Sequence, residues 1–300
     1  MELRDGSFRR AAWLLPHAAA RVAGRGAARI TAQAVGRLEG LSGAGVSRVA
    51  TRISPRLAGR NPGLVKIPPE WAACVDVRRE GLRLALDLRD NLQAILYYAG
   101  RYEPAMRDFL HRELRAGDVV MDVGANIGLH TLTAVRRLRG LGGGRVIAFE
   151  PADDCVRKLV ATAAANGLAG SDVLEVVPVA LGDRAEVADL RADSRYDVAD
   201  AGVRSLSGDG EIVQQVPVVR LDDWAAEHGL DRLDVVKLDV EGAEHAALSG
   251  GRRTLTRLKP RVVPVEDKRA EGRRELHDLL AALGYHPTGQ VLDHNALFRR

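Results

Sequence analysis

Five carboxylates and one glycine loop are the parts of this 300-residue chain best suited to chemistry. Asp122 closes the apolar run Val119–Val123, and Gly124, Ala125, Asn126 and Gly128 follow at once. Glu150 closes a second apolar run, Arg145–Phe149, 28 residues further on. Asp239 and Glu241 lie at the end of Leu233–Val240, and Glu266 ends Arg261–Glu266. The loop reads D-x-G-A-N-x-G and lacks the third glycine of a dinucleotide fingerprint. A carboxylate beside it is a poor neighbour for pyrophosphate and a good one for a cation. Glu150 can accept both hydroxyls of a ribose, each charge-assisted bond contributing about 1.5–3 kcal/mol. Together the acids suit S-adenosylmethionine, which carries a ribose, an ammonium and a sulfonium but no phosphate.

The elements that must position these residues follow from hydrophobic periodicity. Val119–Val123 is a short buried strand, and Ile127, His130, Thr131, Ala134, Val135 and Leu138 continue at helical spacing. The same alternation recurs: strand Arg145–Phe149, then a helix opened by Pro151; a third strand Val173–Leu181; a strand Gln215–Leu221, with Asp222 capping a helix Asp223–His228. Strand Leu233–Val240 leads into a helix running to Leu258. Strand Arg261–Glu266, an amphipathic helix Glu271–Leu283 and a terminal strand or hairpin within Gln290–Phe298 follow. Alternating strands and helices from residue 118 onward predict an open, mostly parallel sheet with helices on both faces. In such a sheet ligands sit beyond the carboxyl ends of the strands, so all five acids are expected on one rim. Upstream, Ala73–Val77 and Leu82–Leu88 predict a hairpin, and Asp90–Tyr98 and Ala105–Leu114 predict helices.

Composition narrows the class. An apolar share of 46% is enough for a full core. The net charge of +4 is uneven, because the first 60 residues hold 11 arginines against 3 acids. The remainder is mildly acidic and offers no footprint for nucleic acid. The basic, Ala-rich start includes a candidate helix over Ala27–Leu38, suited to weak contact with an anionic membrane surface. Cys74 and Cys155 are too few for a disulfide framework or a zinc site. Ala11–Ala20 is too short to span a bilayer, and a soluble, cytoplasmic protein is expected. The expected division is an extension and linker over 1–68 and a catalytic domain over 69–300, with its core at 117–287.

The segments MDVGANIGLHTL (121–132), AFEP (148–151), VPVALGD (177–183), VVRLDDW (218–224), VVKLDVEGAEHAALSGG (235–251) and KPRVVPVE (259–266) resemble the FkbM family of S-adenosylmethionine-dependent methyltransferases. GRYEP (100–104) resembles the family's upstream segment. The resemblance implies a Rossmann-like class I methyltransferase fold, with a seven-stranded sheet whose last strand is antiparallel, and O-methylation as the usual reaction. It also implies roles by position. Asp122, Gly124, Ala125, Asn126 and Gly128 would surround the methionine part of the cofactor, Glu150 the ribose, and Ala180 and Leu181 the adenine. Asp239 would face the methyl group and Glu241 would stand beside it, as the catalytic pair. The implied acceptor is a small molecule or glycan bearing a hydroxyl. Residues 1–60 and the insert 184–214 lie outside the resemblance.

Three rival readings have specific discriminants. An NAD-linked oxidoreductase requires the missing glycine. N-methylation favours aromatic or Asn-Pro packing after Asp239, where this chain has Val-Glu-Gly. A silent binding protein would yield no product. Asp239, Glu241 and Glu266 also offer the hard oxygen ligands that suit Mg²⁺, but sequence does not bring the three together, and no metal site is assigned at this level.

Overall fold

The computed structural model describes residues 74–168, 172–195, 200–267 and 272–300. The basic segment 1–68, its candidate helix and the Pro68-Pro69 linker lie outside the described residues. The chain divides into two compact units, Met1–Tyr102 and Glu103–Arg300.

In the first unit, β1 (Cys74–Arg79) and β2 (Leu82–Asp87) form an antiparallel hairpin. Its two-residue turn, Glu80-Gly81, has positive φ at both positions, the geometry that matches the twist of a hairpin. Leu82, Leu84 and Leu86 are buried and alternate with exposed residues. Helix α1 (Asn91–Ala99) is capped by Asp90, whose side chain accepts the Gln93 N–H at 2.9 Å, and ends at left-handed Gly100.

The second unit opens with α2 (Pro104–Glu113), proline standing at the first turn, where the missing N–H would have no intrahelical partner. It continues through β3 (Val119–Val123), α3 (Leu129–Gly140), β4 (Arg145–Phe149), α4 (Asp153–Ala165) and β5 (Leu174–Val177). Then come β6 (Ala180–Leu181), β7 (Glu186–Arg191), β8 (Ile212–Val219), α5 (Leu221–Glu227) and β9 (Val235–Leu238). The unit closes with α6 (Glu244–Gly250), α7 (Arg252–Leu258), β10 (Val262–Glu266), α8 (Arg273–Ala282), β11 (His286–Leu292) and β12 (Asn295–Arg299).

Seven strands form one sheet in the order β11-β12-β10-β9-β3-β4-β5. All pairs from β5 to β10 are parallel, while β12 runs antiparallel to both β10 and β11. The chain steps outward from β3 to β5, then returns to the other side of β3 for β9 and β10. The switch point therefore lies between β3 and β9, where a ligand crevice is expected. One face is packed by Met121, Val123, Ile147, Phe149, Val236, Leu238, Val263 and Val265 against Trp224, Leu248, Leu255, Leu280 and Tyr285. Trp224 meets Phe149 edge-on with ring centroids 5.0 Å apart.

The structure departs from the sequence expectation in three places. The third strand breaks at Pro178-Val179: Leu174–Val177 stays in the large sheet, and Ala180–Leu181 joins a second sheet ordered β6-β8-β7. The predicted helix from Glu244 to Leu258 is two helices, broken at Gly251. Asp222 does not cap its own helix, which starts one residue earlier; its carboxylate accepts the N–H groups of Arg253 and Thr254 at 3.2 and 2.8 Å. It thus caps α7, a partner some thirty residues away that local pattern cannot supply.

Candidate active site

The register of the large sheet aligns the critical residues. Phe149, Val123, Leu238 and Val265 pair in one row across β4, β3, β9 and β10. The next row is Glu150, Gly124, Asp239, Glu266 and then Asn295, which pairs with Glu266. The ladder holds one residue past the strands, since Gly124 N donates to Phe149 O and Asp239 N to Val123 O, both at 3.0 Å. Side chains alternate between faces, so this row projects away from the packed face that holds Leu238 and Val265. Glu150, Asp239 and Glu266 thus stand together on the expected rim.

The loop after β3 is shaped by close backbone approach. A Cβ on Gly124 would meet the Asp239 carbonyl oxygen at 1.9 Å, and its φ of +79° is itself hostile to a side chain. Gly128 has φ +86°, and a Cβ there would strike the Leu159 side chain at 2.6 Å. Asn126, also at positive φ, directs its N–H to Glu150 Oε2 at 2.7 Å. The other oxygen of Glu150 accepts the Ala152 N–H at 2.9 Å. Burial pushes the Glu150 carboxyl up to about 7, against the pull of those two N–H donors, with Asp122 and Asp154 adding to the rise. The buried Cys155 Sγ lies 3.5 Å from Asn126 Oδ1.

Asp122 lies one residue deeper. Its oxygens accept the Thr131 hydroxyl at 2.6 Å and the Lys237 ammonium at 3.1 Å, Lys237 being its register neighbour on β9. Burial works against the charge on Lys237, but the carboxylates of Asp122, Asp239 and Glu103 outweigh it and hold its pKa above the ordinary lysine value. Lys237 is thus a fixed cation that neutralises carboxylates, with Asp239 Oδ2 at 3.8 Å. On the same side, buried His130 Nε2 and Glu103 Oε2 are 2.8 Å apart. Lys237, set among acids in its strand, is expected from sequence to neutralise neighbouring carboxylates, whereas Glu103 has no role assignable from sequence. The GRYEP segment was the available signal for Glu103, and the pairing across some thirty residues was not visible.

Asp239, Glu241 and Glu266 bring carboxylate oxygens within 4.8 Å of one another. Glu241 is half-buried with φ +54°. Glu244 Oε1 staples the turn by accepting the N–H groups of Val240 and Gly242 at 3.0 and 3.1 Å. From the 184–214 insert, Ser205 Oγ donates to the Glu241 carbonyl at 2.7 Å, so this insert is tied to the turn after β9. Ala180 and Leu181 are both buried: Ala180 packs with Ala152, Cys155 and Val218, and Leu181 belongs to the main core.

A parallel sheet with its crossover reversal at β3/β9, a terminal antiparallel strand slotted inside the sheet edge, and an acid-lined rim define the class I methyltransferase architecture. The chain belongs to the FkbM methyltransferase family: the family's "Methyltransferase FkbM domain" matches residues 122–287. It is 28% identical over 203 residues to the 2-O-methyltransferase NoeI of Sinorhizobium fredii, covering 60% of this chain and 77% of that protein. It is 34% identical over 166 residues to the 31-O-demethyl-FK506 methyltransferase FkbM of Streptomyces tacrolimicus, covering 46% of this chain and 61% of that one. Among solved structures, it is similar to the methyltransferase FkbM of Methylobacillus flagellatus, with 15% identity, a TM-score of 0.45, and coverage of 68% of this chain and 52% of that one. The protein is a methyltransferase. No helix among the described residues is long and apolar enough to cross a membrane.

Proposed function

We propose that this protein transfers the methyl group of S-adenosylmethionine to a hydroxyl oxygen of a sugar, glycan or secondary metabolite, acting in the cytoplasm. The observation that carries the reading is Glu150: a buried carboxylate, fixed by two backbone N–H groups, next in the row to the closely packed Gly124 and two strands from Asp239. Glu150 takes the ribose hydroxyls; the tight loop of Gly124, Ala125, Asn126 and Gly128 surrounds the methionine part, and Asp122 supports the loop through Lys237. Ala180 and Leu181 border the adenine just past the Pro178-Val179 interruption of the strand.

In the transfer itself the acceptor oxygen forms a bond to the methyl carbon as the carbon–sulfur bond breaks. The bonding pair stays on sulfur, which becomes a neutral thioether. The hydroxyl proton passes to Asp239, with Glu241 beside it. Alignment of oxygen, carbon and sulfur can supply about 7–11 kcal/mol of the barrier, and a base adds roughly 10²–10⁴-fold, so positioning is the larger effect. The names of the two curated relatives, both O-methyltransferases of hydroxylated compounds, favour oxygen over nitrogen. The test is incubation with methyl-labelled S-adenosylmethionine and matched panels of hydroxylated and amine acceptors. Label in an ether product supports the reading, and label confined to amines overturns it.

A further inference from the structure

We propose that Asp239, Glu241, Glu266 and Asn295 form a binding site for one hard divalent cation of the Mg²⁺ or Mn²⁺ class. Oxygens of the three carboxylates lie within 4.8 Å of one another. That span matches the shell of a single ion, whose opposite oxygen ligands stand about 4–5 Å apart. Carboxylates gathered this closely in a half-buried crevice repel one another, and a shared cation reverses the sign of that interaction.

The independent observation is Asn295. Its side chain is fully buried, and neither Oδ1 nor Nδ2 has a hydrogen-bond partner. A buried amide left in that state is costly, so native proteins rarely keep one, and a cation would meet its oxygen. Asn295 is the antiparallel register partner of Glu266, so the two side chains leave the sheet on the same face. Adjacent strands stand about 4.8 Å apart, and Asp239, Glu266 and Asn295 occupy three consecutive strands of the same row. The Asn295 side chain thus leaves the sheet beside the carboxylate cluster, and amide oxygens are ordinary ligands of hard cations. Lys237 does not replace such an ion: its ammonium is turned to Asp122 at 3.1 Å, and Asp239 is further off at 3.8 Å.

Four protein oxygens leave about two positions of a six-coordinate shell for water or for an acceptor oxygen. Resting on the methyl-transfer reading above, the ion would hold the acceptor hydroxyl on the rim and increase its acidity. A carboxylate bound through one oxygen keeps the other to receive the proton.

The test uses the full chain stripped with chelator, titrated with Mn²⁺ and followed by the paramagnetic resonance of the free ion. The expected result is one Mn²⁺ bound per chain, displaced by excess Mg²⁺, with affinity lowered at least about tenfold in Asp239→Asn and Glu266→Gln. Asn295→Leu is the folding-safe variant, since it removes an unmet amide. It should bind Mn²⁺ more weakly while unfolding at the same or a higher temperature. Absence of stoichiometric binding at millimolar Mn²⁺, or equal affinity in all variants, overturns the site. Binding of S-adenosylhomocysteine to the stripped protein, by calorimetry, tests the donor reading separately, because Glu150 and the glycine loop need no ion.

Discussion

Glu150 shows how one residue couples the chemistry to pH. Its carboxyl is pushed up to about 7, and on the proposed ribose contact the ionised form, with both oxygens free to accept, is the better partner for a diol, so binding should release a proton. The affinity for S-adenosylhomocysteine should rise as pH increases toward 7 and level off above it. Calorimetry in buffers of different ionisation enthalpy would read that proton directly, and Glu150→Gln should weaken binding and flatten the pH profile. The stability consequence has the opposite direction. Because the folded pKa lies above the ordinary glutamate value, this group's stabilisation is full below about pH 4.5 and is lost as pH rises through 7. At Asp239, replacement by Asn should leave donor binding mostly intact and reduce turnover at least about a hundredfold. Turnover like that of the parent protein would reject it as the base.

Asp222 carries the argument at the scale of elements. It is buried at the start of α5 and caps α7, so one carboxylate joins two helices. Burial alone would raise its pKa, but the N–H donors of Thr254 and Arg253 outweigh that and hold it below the ordinary aspartate value. Its contribution is therefore present above the usual aspartate pKa and is lost as pH falls below it. Asp222→Ala should cost about 1–2 kcal/mol, measured by thermal or denaturant unfolding, and the variant should lose less stability than the parent on acidification. The loop after β3 is the other element with no slack. Gly124→Ala places a methyl on the Asp239 carbonyl, and no side-chain motion relieves a clash with backbone. Loss of donor binding in that variant is expected, with S-adenosylhomocysteine calorimetry as the readout.

Across the whole molecule, Arg261 ties distant parts together. Its guanidinium reaches the Glu113 side chain at 2.8 Å and Asp118 at 2.6 Å, contacts separated by 148 and 143 residues in sequence. Arg299, on the antiparallel strand β12, meets the same Glu113. The network clamps the end of α2 and the start of β3 to the amino end of β10, opposite the acid-lined rim. Asp118 is 1% exposed, so Arg261→Ala would leave a buried carboxylate with only the Arg115 N–H at 2.8 Å and the more distant Arg232 at 3.7 Å. A loss of about 2–3 kcal/mol is expected, seen as a lower unfolding midpoint, with donor affinity measured below that midpoint little changed.

Local information was enough for several features. Strands β3, β4, β9 and β10 are mostly apolar runs, each with an acid near or just beyond its end, and a parallel sheet buried on both faces imposes that pattern on each strand separately. The glycine loop is legible for the same reason, because its conformation is demanded within five residues. Tertiary structure alone decided who meets whom. The Lys237–Asp122 pair, the Asp222 cap on α7, the break of the third strand at Pro178 and the placement of Asn295 beside Glu266 all depend on strand order and register. Those are set by packing between segments tens to hundreds of residues apart, where periodicity within one segment carries no information.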